Sequence, residues 1–154
     1  MSQTIEQKLA ELGITLPTPV APLANYVPAV RTGNLLFISG QVSIDGAGKL
    51  STGKLGAGLD IEAGRAAARL CAINLLAQAK AAIGDLEKIV RVVKLVGFVN
   101  SAPDFVDHPK VINGCSDLFV EVLGDKGRHA RSAVGIAALP FDAAVEVEAI
   151  IEVA

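Results

Sequence analysis

Arg131 is the residue around which any chemistry in this 154-residue chain would be arranged. It stands at the start of an apolar stretch, Ala130–Ala138 (ARSAVGIAA). A guanidinium at the mouth of an apolar strand is a permanently charged donor that can hold a small carboxylate in two parallel bonds. Downstream lie Glu146 and Glu148, two positions apart and therefore on one face of a strand. A cation for an acid group and a carboxylate to manage water or a proton are the minimum for hydrolysing a small organic acid. An arginine that ends a strand in solvent fits the same pattern, so spacing alone leaves both readings open.

Other chemistries find less support. His108 and His129 flank a helix start and a strand start without a third ligand at metal spacing, so solvated loop histidines are expected and no metal set is visible. Ser39, Ser43, Ser101, Ser116 and Ser132 lack the strand–turn–helix setting of a serine nucleophile. Asp104 and Asp107 read as turn and cap residues. The run GAGKLSTGK contains Lys54 but not the spacing of a phosphate loop, and no GxGxxG opens a helix.

Composition narrows the classes further. Aromatic residues are 4% of the chain, Trp is absent, and the formal charge of −2 is not gathered into basic runs. A stacking surface for bases and an electrostatic footprint for nucleic acid are therefore not expected. The charge-free run Leu12–Val30 is interrupted by Pro17, Pro19, Pro22 and Pro28, which excludes a membrane helix there. The N-terminus MSQTIEQKLAELG does not read as a signal peptide. Cys71 and Cys115 fall in expected helices without CxxC spacing, as small buried hydrophobes of a reduced compartment; cytoplasm is the simplest location.

The elements that must position Arg131 follow from periodicity. A short amphipathic helix is expected over Thr4–Leu12, then a Pro-rich arm over 13–25 that keeps Ile14, Leu16, Val20 and Leu23 between its prolines. Tyr26–Arg31 and Leu35–Ser39, across Thr32-Gly33-Asn34, predict a β-hairpin. Its second strand ends in Ser39-Gly40-Gln41, where the glycine marks either a close approach or a bulge. Residues 45–58 read as an exposed, mobile loop.

The strongest helix is expected over Asp60–Gly84, capped by Asp60 and ended by Gly84. Ile89–Asn100 is a strand apolar on both faces. A helix from about Pro109 to Leu123 carries Asn113. Two strands, Ala130–Ala138 and Ala144–Val153, close the chain as a hairpin turned at Leu139-Pro140-Phe141-Asp142. The order (α)ββαβαββ is one α+β domain with two long helices against a mixed sheet. Two helices cover one face only, so a second copy of the chain is expected on the other.

The segment HARSAVGIAALPFDAAVEVEAI resembles the C-terminal signature of the RidA/YjgF family of imine deaminases, once labelled endoribonuclease L-PSP. TGNLLFISGQ (Thr32–Gln41) resembles its second signature, and Asn113 in VINGCSDLF matches a third point. The resemblance covers roughly residues 25–153, leaving 1–24 as an additional helix and arm. It implies a chorismate-mutase-like subunit in a homotrimer, with pockets at the subunit interfaces. It further implies Arg131 on the substrate carboxylate, Glu146 orienting water, and Tyr26, Ser39, Gly40, Asn113 and Ala133 around the substrate. Ala133 stands where many members have Cys, and Ser43 where a Pro often follows SGQ.

The activity implied is hydrolysis of 2-aminoacrylate-type enamines and imines to 2-oxo acids and ammonia. No metal or organic cofactor is implied, nor any nucleic acid or membrane partner. A non-catalytic protein that binds or senses small carboxylates is the alternative on the same pocket. Ribonuclease activity, the older label, agrees poorly with the charge and aromatic content.

Overall fold

The computed structural model describes residues 2–19, 21–22 and 24–154; the Val20 and Leu23 positions of the expected arm lie outside the described residues. Helix α1 (Ile5–Glu11) is closed at its start by a reciprocal capping box. The Thr4 side chain accepts from the Gln7 amide, and the Gln7 side chain accepts from the Thr4 amide. Its buried residues Ile5 and Leu9 join the main core, and Leu12, Ile14 and Leu16 pack against the same core. The Ile5 amide also donates to Glu87 Oε1 at 2.6 Å.

Strands β1 (Ala29–Thr32) and β2 (Leu35–Val42) form the expected hairpin, shorter at its start and longer at its end than the sequence predicts. Two-residue strands β3 (Lys54–Leu55) and β4 (Gly58–Leu59) follow. Helix α2 (Ile61–Ile83) has Asp60 as its cap, accepting from the Ala63 amide, and Gly84 at φ 81° as its stop. Strand β5 (Ile89–Asn100), helix α3 (His108–Leu123), strand β6 (Ala130–Ile136) and strand β7 (Val145–Val153) complete the chain.

The sheet runs β1-β2-β7-β5-β6, with β5 and β6 parallel and all other neighbours antiparallel. This corrects the expected terminal hairpin: β5 lies between β6 and β7. The reason sits at the end of β5. Asn100, fully buried, donates to Asp142 Oδ1 at 3.0 Å and to the Gly53 carbonyl at 3.1 Å, and accepts from Lys54 Nζ at 2.7 Å. The β6–β7 connection is thereby drawn across the end of β5 and anchored there. Lys54 also donates to the Ala137 carbonyl.

The same bonds tie the far end of the 45–58 loop to the body of the domain, while residues 46–49 are exposed as expected. Leu55 is fully buried, Thr52 bridges Ala143, and Asp45 Oδ1 accepts from the Ala47 and Lys49 amides. A polar, Gly-rich segment can be tied down when its own side chains satisfy its backbone.

Helices α2 and α3 cover one sheet face. They approach so closely that a Cβ on Gly114 would overlap the Arg65 backbone. Cys71 and Cys115 are buried between them as free thiols, and burial pushes both pKa values up. By length and composition α2 alone among the described helices could cross a membrane, yet its Ala67, Ala68, Cys71, Leu75, Leu76 and Ala79 are sunk in the core.

The other face carries Val30, Phe37, Ile150, Val96, Phe98 and Val134, with Val30 53%, Phe37 40% and Val134 45% exposed. Contiguous apolar residues on an uncovered sheet mark a surface that associates. Among the described residues, no helix covers them.

Candidate active site

Arg131 pairs with Leu95 on β5, and its side chain turns toward the helix layer. There α3 offers two oxygens one turn apart. Arg131 Nη1 donates to Asn113 Oδ1 at 2.7 Å and to Ser116 Oγ at 3.2 Å. Nη1 thus has two acceptors, while the edge formed by Nε and Nη2 donates to no described residue. Among the described residues, no carboxylate lies within ion-pair distance of this guanidinium. A half-buried cation braced by neutral oxygens, with one bidentate edge open, is a receptor for a planar anion. Ala133, two residues along the same face, pairs with Gly97 and packs on the core.

Glu146 belongs to a second cluster. Between Ile38 and Gln41 the β2–β7 register slips, and Ser39-Gly40 forms the irregularity. Gly40 serves both purposes the sequence suggested, since it sits in the slip and also makes room for Glu146. A Cβ on Gly40 would lie 2.9 Å from Glu146 Cδ and closer still to Oε1. Ser39 ties β2 to the segment before β1: its Oγ donates to the Val27 carbonyl at 3.2 Å, and its amide donates to the Pro28 carbonyl at 2.9 Å. These bonds hold the segment leading from Tyr26 into β1 beside a cleft of about 210 Å³ lined by Tyr26, Gly40, Gln41 and Gln78. Burial, and secondarily the Glu148 charge, raise the Glu146 carboxyl above the ordinary carboxylate value.

Gly40→Ala is expected to leave the fold within about 1 kcal/mol of wild type, because the flexible end of Glu146 can swing aside. The displaced carboxyl loses its burial, so its titration, followed by carboxyl-carbon NMR, should move down toward the ordinary value.

The sequence-expected residues thus fall into two groups. Arg131, Asn113 and Ala133 gather on the helix side. Tyr26, Ser39, Gly40 and Glu146 gather around the β2 slip. Glu146 pairs with Phe98, which pairs with Val134, so the two charged residues are three positions and two strands apart. That offset is about 14 Å between Cα atoms and reverses the face. One chain brings each half together but does not join them.

Sequence reasoning missed Ser116, Gln41 and Gln78, and misjudged the histidines. His129 binds Ser116 Oγ at 2.9 Å and the Gly127 carbonyl at 2.6 Å, and His108 meets Ser101 Oγ at 3.2 Å. Neither is a merely solvated loop residue. No spacing rule ties Ser116 to His129; only the fold brings α3 beside β6.

The family model for YjgF/chorismate mutase-like proteins, which also carries an endoribonuclease label, matches residues 6–153. The chain belongs to the YjgF family. This YjgF-family chain is 50% identical to Protein TCP17 of Trypanosoma cruzi over 152 residues, covering 98% of itself and 95% of that protein. A solved structure of the protein Atu1372 from Agrobacterium tumefaciens matches with a TM-score of 0.91 and 54% identity, over 98% of this chain and 94% of that one. A 2-iminobutanoate/2-iminopropanoate deaminase of Dermatophagoides farinae is 27% identical over 139 residues, 90% of this chain and 93% of that protein. The YjgF-family match takes in α1, consistent with its place in the core.

Proposed function

We propose that this protein hydrolyses small reactive 2-imino and enamine acids of the 2-aminoacrylate type to 2-oxo acids and ammonia. The site is completed between copies of the chain in a homotrimer. The observation that carries this reading is the open Nε–Nη2 edge of Arg131, a half-buried cation without a carboxylate partner among the described residues. The relative named as a 2-iminobutanoate/2-iminopropanoate deaminase supports the chemistry. The bare apolar sheet face and the two separated half-sites support a second copy.

In the proposed mechanism Arg131 grips the substrate carboxylate in two parallel bonds and fixes the C=N carbon, supplying the proximity effect. Glu146 of a neighbouring copy faces that carbon and takes a proton from an attacking water. Oxygen bonds to carbon and the C=N electron pair moves to nitrogen, which takes up the proton that Glu146 received from the water. The carbinolamine then collapses: the hydroxyl proton passes to the amino group, the C–N bond breaks with its electron pair leaving on ammonia, and a C=O remains. An enamine enters the same sequence after protonation at its terminal carbon. The free imine already hydrolyses in water, so the roughly 10²–10⁴-fold that one positioned acid/base provides is enough.

Glu146 must be ionised to accept the water proton. Its pKa is raised, so it stays protonated to higher pH than an ordinary carboxylate, and the acid limb of the rate profile should be displaced upward. Glu148→Gln removes the secondary cause and should move that limb down. An unchanged limb would separate Glu146 from the rate.

The direct test generates 2-aminoacrylate with a dehydratase and follows 2-oxo acid release with wild type and Arg131→Ala. Acceleration lost in the variant supports the proposal. Arg131-dependent binding of 2-oxo acids with release at the background rate would overturn catalysis and establish a carboxylate-binding or sensing protein instead.

A further inference from the structure

Arg131 does not stand alone behind its open edge. Its Nη1 donates to Ser116 Oγ at 3.2 Å, Ser116 Oγ is 2.9 Å from His129 Nε2, and His129 Nδ1 is 2.6 Å from the Gly127 carbonyl oxygen. The chemistry of the last partner assigns the protons. A carbonyl oxygen only accepts, so Nδ1 holds the imidazole proton and the neutral ring presents a lone pair at Nε2. Ser116 must then give its hydroxyl proton to Nε2, which turns its oxygen lone pairs toward Arg131.

We propose that Ser116 and His129 are positioning residues for Arg131. Together they form a directional relay from the Gly127 carbonyl that polarises the Ser116 oxygen and fixes the guanidinium with its Nε–Nη2 edge exposed to ligand. This rests on the reading of Arg131 as the carboxylate grip and adds the device that aims it.

Four further observations fit. His129 lies two residues before Arg131, so both side chains leave the chain on the same side. The fully buried Phe119 meets the His129 ring edge to face, with centroids 6.3 Å apart, which restrains its rotation. Burial, with the Arg131 charge beside it, lowers the His129 pKa against the opposing pull of the Gly127 carbonyl, so the neutral ring the relay requires is favoured. Asn113 is the second acceptor for Nη1, and the two contacts together restrain the plane of the guanidinium. A single contact would leave that plane free to turn.

The test is calorimetric titration of 2-oxobutyrate into the full-length protein, with unfolding temperature measured beside it. Ser116→Ala should weaken binding about tenfold, the scale of one charge-assisted hydrogen bond, while Ser116→Thr should restore it to within about twofold. His129→Phe keeps a ring against Phe119 but removes both nitrogens, and should weaken binding about three- to tenfold. His129→Asn, which keeps an amide donor for the Gly127 carbonyl but has no atom at the Nε2 position that accepts from Ser116, should do the same. Because His129 acts through Ser116, the double variant Ser116→Ala/His129→Phe should bind no more weakly than Ser116→Ala alone.

Additive losses, or unchanged affinity with a lowered unfolding temperature, would overturn the relay and leave a structural role. Arg131→Ala separates the two levels. If it abolishes binding while Ser116→Ala does not weaken it, the relay alone fails; if it too leaves binding unchanged, the carboxylate reading fails with it.

Discussion

Arg131→Lys should reduce 2-oxo acid release from 2-aminoacrylate by about 100- to 1000-fold, although it keeps the positive charge. The guanidinium meets two demands at once. One nitrogen is braced by Asn113 and Ser116, and the opposite edge stays free for a planar anion. An ammonium has three donors on one atom; satisfying both oxygens leaves a single bond for the ligand and no control over its plane. A singly held substrate still binds but swings, and the geometric advantage is lost even where the affinity falls only about tenfold.

Stability should change little, because Arg131 has no carboxylate partner to orphan among the described residues. Steady-state rates beside an unfolding curve check both halves. A loss of less than about threefold would show that fork geometry is irrelevant to the reaction.

How much of this could be read from the chain depends on how local each signal was. The bounds of α2 were legible because Asp60 and Gly84 act within a turn of the helix they close. β5 was legible because its apolar residues occupy both faces. The neighbours of a strand are a non-local property. Nothing in Ala130–Ala138 or Ala144–Val153 says that β5 lies between them, since that follows from Asn100 binding Asp142 and Gly53 at the strand end.

The anchors of the loop from Asp45 to Gly58 were hidden for the same reason. These anchors, Lys54 to Asn100 and Thr52 to Ala143, join residues more than forty positions apart. In the site, the resemblance named Arg131, Asn113 and Glu146, and the fold brought the first two within hydrogen-bond distance. It could not name the Ser116–His129 pair, which is visible only once α3 is packed beside β6. Nor did any motif show that Arg131 and Glu146 lie on opposite faces, a consequence of register through β5.

That separation produces the second large effect. Arg131→Ala and Glu146→Gln should each be nearly inactive alone, yet mixing the two after joint refolding or co-expression should recover activity. If each site draws its guanidinium from one copy and its carboxylate from the next, a site is whole only where a Glu146→Gln chain gives Arg131 to an Arg131→Ala chain that supplies Glu146. Random assembly of equal amounts in a closed ring of identical, head-to-tail contacts makes about a quarter of the sites whole. Recovery should therefore approach about a quarter of the wild-type rate and track the product of the two subunit fractions, with its maximum at an equal mixture.

A site contained in one chain predicts no recovery at any ratio, since every chain would carry one lesion. The offset of about 14 Å between Arg131 and Glu146, with their faces reversed, is why the mixture should work. One organic acid of a few atoms cannot touch both residues of a single chain. It can touch both only where the helix side of β6 in one copy meets the β2 slip of another, and there the Tyr26 cleft and the open edge of Arg131 would close on the same ligand.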